Sequence, residues 1–156
     1  MIGAKRHQMA GAGYFRYAVK MDVAFITHRL RDYFEARSRG VVCVYLFGSV
    51  ARGTAHGRSD VDVAVLLERD PPATLAGSAV SLGGELERHL GRPVDLVVLN
   101  RASVDLVHRV LRDGLVVFDP RPRERIQFEV RARNAYFDLK PVLDRYRRVA
   151  RASAHG

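Results

Sequence analysis

Apolar positions along the chain switch repeatedly between the strand period and the helical period. Short apolar runs rich in β-branched and aromatic residues predict four strands, over residues 41–47, 61–67, 94–99 and 115–118. Helical spacing predicts helices between and around them, over residues 22–38, 71–89 and 103–114 and from Pro122 onward. This alternation predicts an α/β fold with a mixed sheet flanked by helices and a helical C-terminal tail.

Capping and breaking residues set the predicted helix ends. Asp22 and Ser103 can accept hydrogen bonds from the free N–H groups at helix starts. Gly40 and Gly114 are the predicted helix terminators. Pro141 is expected to interrupt the C-terminal helix, because proline has no backbone N–H to donate.

The basic residues are concentrated at the two ends of the chain. The formal net charge is +9, and residues 121–156 hold 10 basic and 4 acidic residues. Residues 1–20 hold 4 basic and no acidic residues, which leaves 12 basic and 13 acidic residues in 21–120. That middle segment offers no basic track, so direct contact with nucleic acid is not expected. The basic tail fits an acidic protein surface instead.

The tail also carries apolar positions at helical spacing, which we expect to pack against the domain or against a partner. This predicted stripe consists of Phe128, Tyr136, Leu139, Leu143 and Tyr146. No linker marks a second large domain, so the predicted organisation is one domain over residues 21–120 followed by a helical tail over 121–156.

Residues 1–20 lack the apolar central region of a secretory signal. We interpret them as a disordered basic extension, or as the result of a start codon set too early, with Met21 as the true start. The single cysteine, Cys43, lies inside an apolar run and rules out a disulfide framework, which favours the reducing cytoplasm. No apolar run reaches the roughly 18–20 residues of a membrane span.

Two aspartates, Asp60 and Asp62, stand one residue apart at the start of the second predicted strand. Alternating strand side chains put both on one face, with Cα atoms about 6–7 Å apart. Two carboxylates that close repel each other unless a cation lies between them. Oxygen ligands favour a hard divalent ion, Mg²⁺ or Mn²⁺. Asp95 would complete the group if its strand lies beside 61–67.

The loop before the aspartates has the composition of a phosphate-binding turn. Gly48 allows a close backbone approach, and Ser49 offers a hydroxyl and an N–H to phosphate oxygens. A helix that begins there would add a favourable dipole for anions. Arg52 adds a positive charge one turn later.

The order Gly48-Ser49, ten residues, then Asp60-Val61-Asp62 resembles the signature of the polymerase-β-like nucleotidyltransferase superfamily. The fuller string, Gly48 to Gly53 with Ser59 to Asp62, is similar to the minimal nucleotidyltransferases, the MNT family. The resemblance implies that residues 21–120 form a nucleotidyltransferase domain.

The resemblance also implies roles for individual residues. Gly48, Ser49, Arg52 and Ser59 would bind the nucleotide, with ATP as substrate. The metal ligands would be Asp60, Asp62 and Asp95, and Asp95 would also act as general base on the incoming hydroxyl. None of the three acids is missing.

The closing segment, residues 128–149, is similar to the arginine- and tyrosine-rich last helix of MNT antitoxins. That likeness implies a HEPN-domain RNase toxin as partner, silenced by transfer of AMP from ATP onto one of its tyrosines. Two alternatives stay open. One is a contact-only antitoxin module of the same fold, and the other is a nucleotidyltransferase with a small-molecule acceptor.

Overall fold

The computed structural model describes residues 22–57, 59–70 and 76–153. Its centre is a four-stranded mixed sheet in the order β3-β2-β1-β4. The strands are β1 (Val41–Phe47), β2 (Val61–Leu67), β3 (Val94–Val98) and β4 (Leu115–Phe118). β1 pairs antiparallel with β2 and β4, while β2 and β3 run parallel. The predicted mixed sheet is therefore confirmed, and only β3 ends one residue early, where a 3-10 turn (Leu99–Arg101) begins.

Five helices accompany the sheet: α1 (Val23–Ala36), α2 (Gly48–Ala51), α3 (Ala76–Leu90), α4 (Val104–Asp113) and α5 (Pro122–Ser153). The predicted caps are confirmed, because Asp22 Oδ1 accepts from the Ala24 N–H at 2.9 Å and Ser103 Oγ from the Leu106 N–H at 3.4 Å. Helix α1 ends at Ala36 rather than near Gly40, which instead turns the chain into β1 with φ +74°. The start expected for α3 at Pro71 and Pro72 lies outside the described residues.

Helices cover both faces of the sheet. On one face, alternate residues of β2 (Val61, Val63 and Val65) are fully buried beneath α1 and α3. On the other face, Ala64 and Leu66 pack toward α4 and α5. The alternation predicted for β2 is thus confirmed, and it leaves Asp62 on the α4 and α5 face. No helix in the described part of the chain is long and apolar enough to cross a membrane.

Helix α5 continues without interruption through Pro141, so the predicted break there is wrong. Proline removes one backbone hydrogen bond, but the turns on either side keep theirs and carry the helix on. The predicted stripe is partly confirmed. Phe128 and Tyr136 are half-buried, whereas Leu139 is exposed. The side chains of Leu143 and Tyr146 lie outside the described residues.

The first half of α5 is tied to the sheet by a polar cluster around Glu129. The Tyr45 hydroxyl donates to Glu129 Oε1 at 2.9 Å, and Arg125 Nη1 donates to the same oxygen at 2.6 Å. Arg125 Nε also donates to Asp119 Oδ2 at 2.9 Å. Although burial acts to raise it, the pKa of Glu129 is held below its usual value by these donors. This part of the tail is therefore packed on the domain.

Candidate active site

The two parallel strands bring Asp62 and Asp95 side by side. Their register pairs Asp62 with Asp95, while Phe47 of β1 lies on the other side of Asp62. Burial raises the pKa of Asp62, and the negative charges of Asp95 and Asp60 raise it further. The condition stated for Asp95, that its strand lies beside residues 61–67, is met. The three carboxylates therefore repel one another, and a cation bound between them would relieve that repulsion.

Asp60 and Asp95 are exposed, whereas Asp62 is half-buried. Across residues 22–57, 59–70 and 76–153, no three acidic, histidine or cysteine side chains already form a group that could hold a metal ion. A shared cation therefore requires the exposed side chains of Asp60 and Asp95 to rotate toward Asp62. Exposed carboxylates have that rotamer freedom. The donor set, three carboxylates with no nitrogen or sulfur, suits Mg²⁺ or Mn²⁺.

The Asp62 carboxylate occupies the position that a side chain at residue 48 would need. The residue has φ +69°, and a Cβ built on it would lie 1.9 Å from Asp62 Oδ2 and 2.5 Å from its Cγ. Any other residue would meet both a disfavoured backbone conformation and a direct overlap with the carboxylate. The sequence pattern assigned this glycine to close approach by a ligand. The structure adds a second requirement that no local pattern could reveal, because Asp62 is 14 positions away along the chain.

Ser49 also contacts the Asp62 carboxylate, through its backbone N–H. A hydrogen bond from its backbone N–H acts to lower the pKa of Asp62, against the effect of burial. Its carbonyl accepts from the Thr54 backbone N–H at 3.0 Å and from Thr54 Oγ1 at 3.3 Å. The short helix α2 begins at Gly48, the start that the sequence analysis stated only as a condition. Thr54 was missed in the sequence, since one threonine in a small-residue loop carries no distinguishing signal.

Ser59 shapes the loop that leads into β2. Its Oγ accepts from the His56 backbone N–H at 2.9 Å, and its own N–H donates to the His56 carbonyl at 2.9 Å. Arg92, another residue that the sequence did not single out, donates from Nη1 to the Gly57 carbonyl at 2.9 Å. These contacts set the entry of the chain into Asp60. The nucleotide-binding role of Ser59 stays a prediction.

Positive charge reaches the site from Arg52, which follows α2. Arg52 is exposed, and its charge acts to lower the pKa of Asp62. A hydrogen bond from Arg112 lowers the pKa of Asp113 at the end of α4, and Arg52 and Arg109 contribute to the same shift. Arg52 thus stands within electrostatic reach of both acids. Its role with phosphates stays a prediction, and Arg109 was not anticipated from the sequence.

The site combines three features in one place: carboxylates on two adjoining strands, a glycine that leaves room for Asp62, and a backbone N–H at the start of a helix. Carboxylates can bind a hard cation, and a cation together with N–H groups and a guanidinium can bind and neutralise a triphosphate. Such an arrangement is suited to transfer of a phosphate-containing group onto a nucleophile.

Comparison with known proteins points the same way. A family model described as polymerase beta, nucleotidyltransferase matches residues 28–123. The protein adenylyltransferase MntA of Shewanella oneidensis (strain MR-1) is 42% identical over 72 residues, which cover 46% of this chain and 49% of that protein. The matched stretch therefore spans about half the length of this curated relative.

Two solved structures have a similar fold. A toxin–antitoxin complex with AMP-PNP includes a chain that is 24% identical with a TM-score of 0.62, over 77% of this chain and 97% of that one. A complex of tri-AMPylated Shewanella oneidensis HEPN toxin with MNT antitoxin matches at 20% identity and a TM-score of 0.59, over 80% of this chain and 98% of that one. At these identities the likeness supports the fold alone.

Proposed function

Since the chain belongs to the polymerase beta nucleotidyltransferase family, we propose that it is a Mg²⁺-dependent protein adenylyltransferase that acts as an antitoxin. It transfers AMP from ATP to a tyrosine of a HEPN-domain RNase toxin and thereby silences the toxin. The observation that carries this proposal is the placement of Asp62 between Asp95 and the Gly48-Ser49 turn. The relative from Shewanella oneidensis, a protein adenylyltransferase, supports the choice of reaction and acceptor class.

In the proposed reaction, the tyrosine oxygen attacks the α-phosphorus of ATP. The bond from that phosphorus to the oxygen that bridges to the β-phosphorus breaks, and pyrophosphate leaves with the electron pair. Asp95 accepts the proton of the tyrosine hydroxyl. Its exposed position at the start of β3 leaves it open to an incoming partner side chain.

The chain's own residues hold the nucleotide in place. Gly48 approaches the triphosphate through its backbone and Ser49 through its hydroxyl, and Arg52 neutralises phosphate charge. Asp60, Asp62 and Asp95 would hold Mg²⁺ or Mn²⁺, which when bound stabilises charge on the phosphate oxygens. The raised pKa of Asp62 fits this assignment. Burial and the two neighbouring acids both disfavour the charged carboxylate, and a bound cation would offset both effects.

The experiment is direct. The purified chain is incubated with ATP, Mg²⁺ and a HEPN-domain protein from the same organism, and the HEPN protein is examined by mass spectrometry for added AMP on tyrosine. Omitting Mg²⁺ and replacing Asp62 by Asn are the matched controls, and both should abolish the added mass. Binding of the HEPN protein with no added AMP would favour the contact-only antitoxin and contradict the proposal.

A further inference from the structure

Helix α5 has a fixed inner face. Phe128 and Ala132 pack against the cluster formed by the sheet and α4. Further along, the ring of Tyr136 stacks on that of His108 with centroids 3.5 Å apart and an interplanar angle of 1°. With the Glu129 cluster, these contacts set the rotation of the helix about its own axis. The opposite face is therefore turned outward, and of its apolar residues Phe137 also meets the His108 ring edge-on, with centroids 6.3 Å apart.

That opposite face carries an apolar stripe of its own, which we call the outer stripe: Ile126, Val130 and Phe137. Spacings of four and seven residues place the three side chains on one line along the helix. Their exposed fractions are 52%, 50% and 60%. Scattered single apolar residues are common on protein surfaces, but three aligned bulky ones on one helix are typical of a docking face.

The helix that carries the outer stripe has a net positive charge. Residues 122–153 hold nine basic and four acidic residues. Three of those acids already have partners, since Glu124 pairs with Arg121, Glu129 with Arg125 and Arg133, and Asp144 with Lys140. Arg123 precedes the stripe by one turn, is exposed, and has no ion-pair partner among the residues that the structure describes. Arg131 lies on the Phe128 side of the helix, where both residues line a cavity with Asn100.

We propose that the outer stripe is the docking surface for an amphipathic helix of the toxin, with an apolar ridge flanked by aspartate or glutamate. This inference rests on the proposed function. An apolar ridge buries the three exposed side chains, and an acid beside that ridge pairs with Arg123. A second copy of this chain fits poorly, because it would set arginines against arginines. An RNA strand fits poorly as well, since the centre of the stripe is apolar rather than cationic.

The test uses two matched double variants of the full chain. Val130→Asp with Phe137→Asp places two acids in the outer stripe. Val80→Asp with Phe25→Asp makes the same substitutions at exposed positions of α3 and α1, where the exposed fractions are 74% and 56%. Titration calorimetry measures binding of the HEPN-domain protein and, separately, of ATP. Thermal melts check that both variants are folded.

We expect the stripe variant to bind the HEPN protein roughly 30-fold or more weakly, the size expected for loss of an interface hot spot. The control variant should stay within about 3-fold of wild type, and both variants should bind ATP as wild type does. Equal affinities in the two variants would overturn the inference. So would self-association or RNA binding of the wild-type chain that only the stripe variant abolishes.

Failure of the proposed function would look different from failure of the docking surface. If the wild-type chain binds the HEPN protein and modifies it, but the stripe variant does so equally well, only the docking surface is wrong. If the wild-type chain neither binds nor modifies the HEPN protein, the proposed function is wrong and the docking inference falls with it.

Discussion

Replacing Gly48 by alanine should lower both the free energy of unfolding and the rate of AMP transfer. A positive φ for a residue with a Cβ costs roughly 1–2 kcal/mol. The new Cβ would also lie 1.9 Å from Asp62 Oδ2, so the carboxylate must move and lose its hydrogen bond from the Ser49 N–H. Loss of a hydrogen bond to a charged group adds about 1.5–3 kcal/mol. We therefore expect Gly48→Ala to lower the free energy of unfolding by roughly 2.5–5 kcal/mol.

Gly53 provides the matched control. It has the same φ of +69° in the same loop, but a Cβ there would meet nothing within 4 Å. Gly53→Ala should therefore lose only the backbone contribution, about 1–2 kcal/mol. For a chain of this length each kcal/mol shifts the melting temperature by roughly 2–4 °C. Urea unfolding of both variants, with AMP transfer measured alongside, separates the two effects. Transfer should fall about 100-fold or more in Gly48→Ala alone, because a metal ligand is displaced.

A double-mutant cycle tests whether overlap with Asp62 causes the extra loss of stability in Gly48→Ala. In an Asp62→Gly background the overlapping atoms are gone, so Gly48→Ala should lose no more stability than Gly53→Ala does. The reasoning is refuted if Gly48→Ala and Gly53→Ala are equally stable and equally active. It is also refuted if the penalty of Gly48→Ala persists unchanged without the Asp62 side chain.

Four further results are expected. Asp60→Ala and Asp62→Ala should each abolish transfer, and near-wild-type transfer would disprove the metal assignment. Without metal, the melting temperature of Asp60→Ala should hold or rise because repulsion is relieved, whereas that of Asp62→Ala should change little, because the hydrogen bond from the Ser49 N–H is lost at the same time. The raised pKa of Asp62 predicts that the metal-free protein loses stability as pH rises from the unfolded-state pKa through the folded-state pKa, because the folded state binds more protons there. Urea titrations across that range should show the loss in wild type and not in Asp62→Asn. Glu129→Gln should lower the free energy of unfolding by about 2–3 kcal/mol, because Tyr45 and Arg125 lose a charged partner; an unchanged urea midpoint would argue against this anchor. GTP should bind measurably beside ATP in calorimetry, because no base-reading residue has been identified; a large preference for ATP would reveal a base pocket.

Local chemistry along the chain was sufficient to predict the elements. β1, β2 and β4 begin and end at the predicted residues, because buried strands require unbroken apolar runs and their flanking turns are marked by small and polar residues. Asp22 and Ser103 cap their helices as expected, since capping depends only on the next few N–H groups. Pro141 is the exception, because a proline weakens a helix without always ending it.

The tertiary structure decided what depends on residues far apart in the sequence. The pairing of Asp62 with Asp95 follows from the order of the strands, and the need for glycine at position 48 follows from the position of Asp62. The outward face of α5 is a third case, because Phe128 and Val130 both fit an amphipathic pattern. Only the contacts of Phe128 with the sheet and α4 show that Val130 points outward. Periodicity specifies that a helix has an apolar face, but when two faces carry apolar residues, the choice between them belongs to the packing of the whole domain.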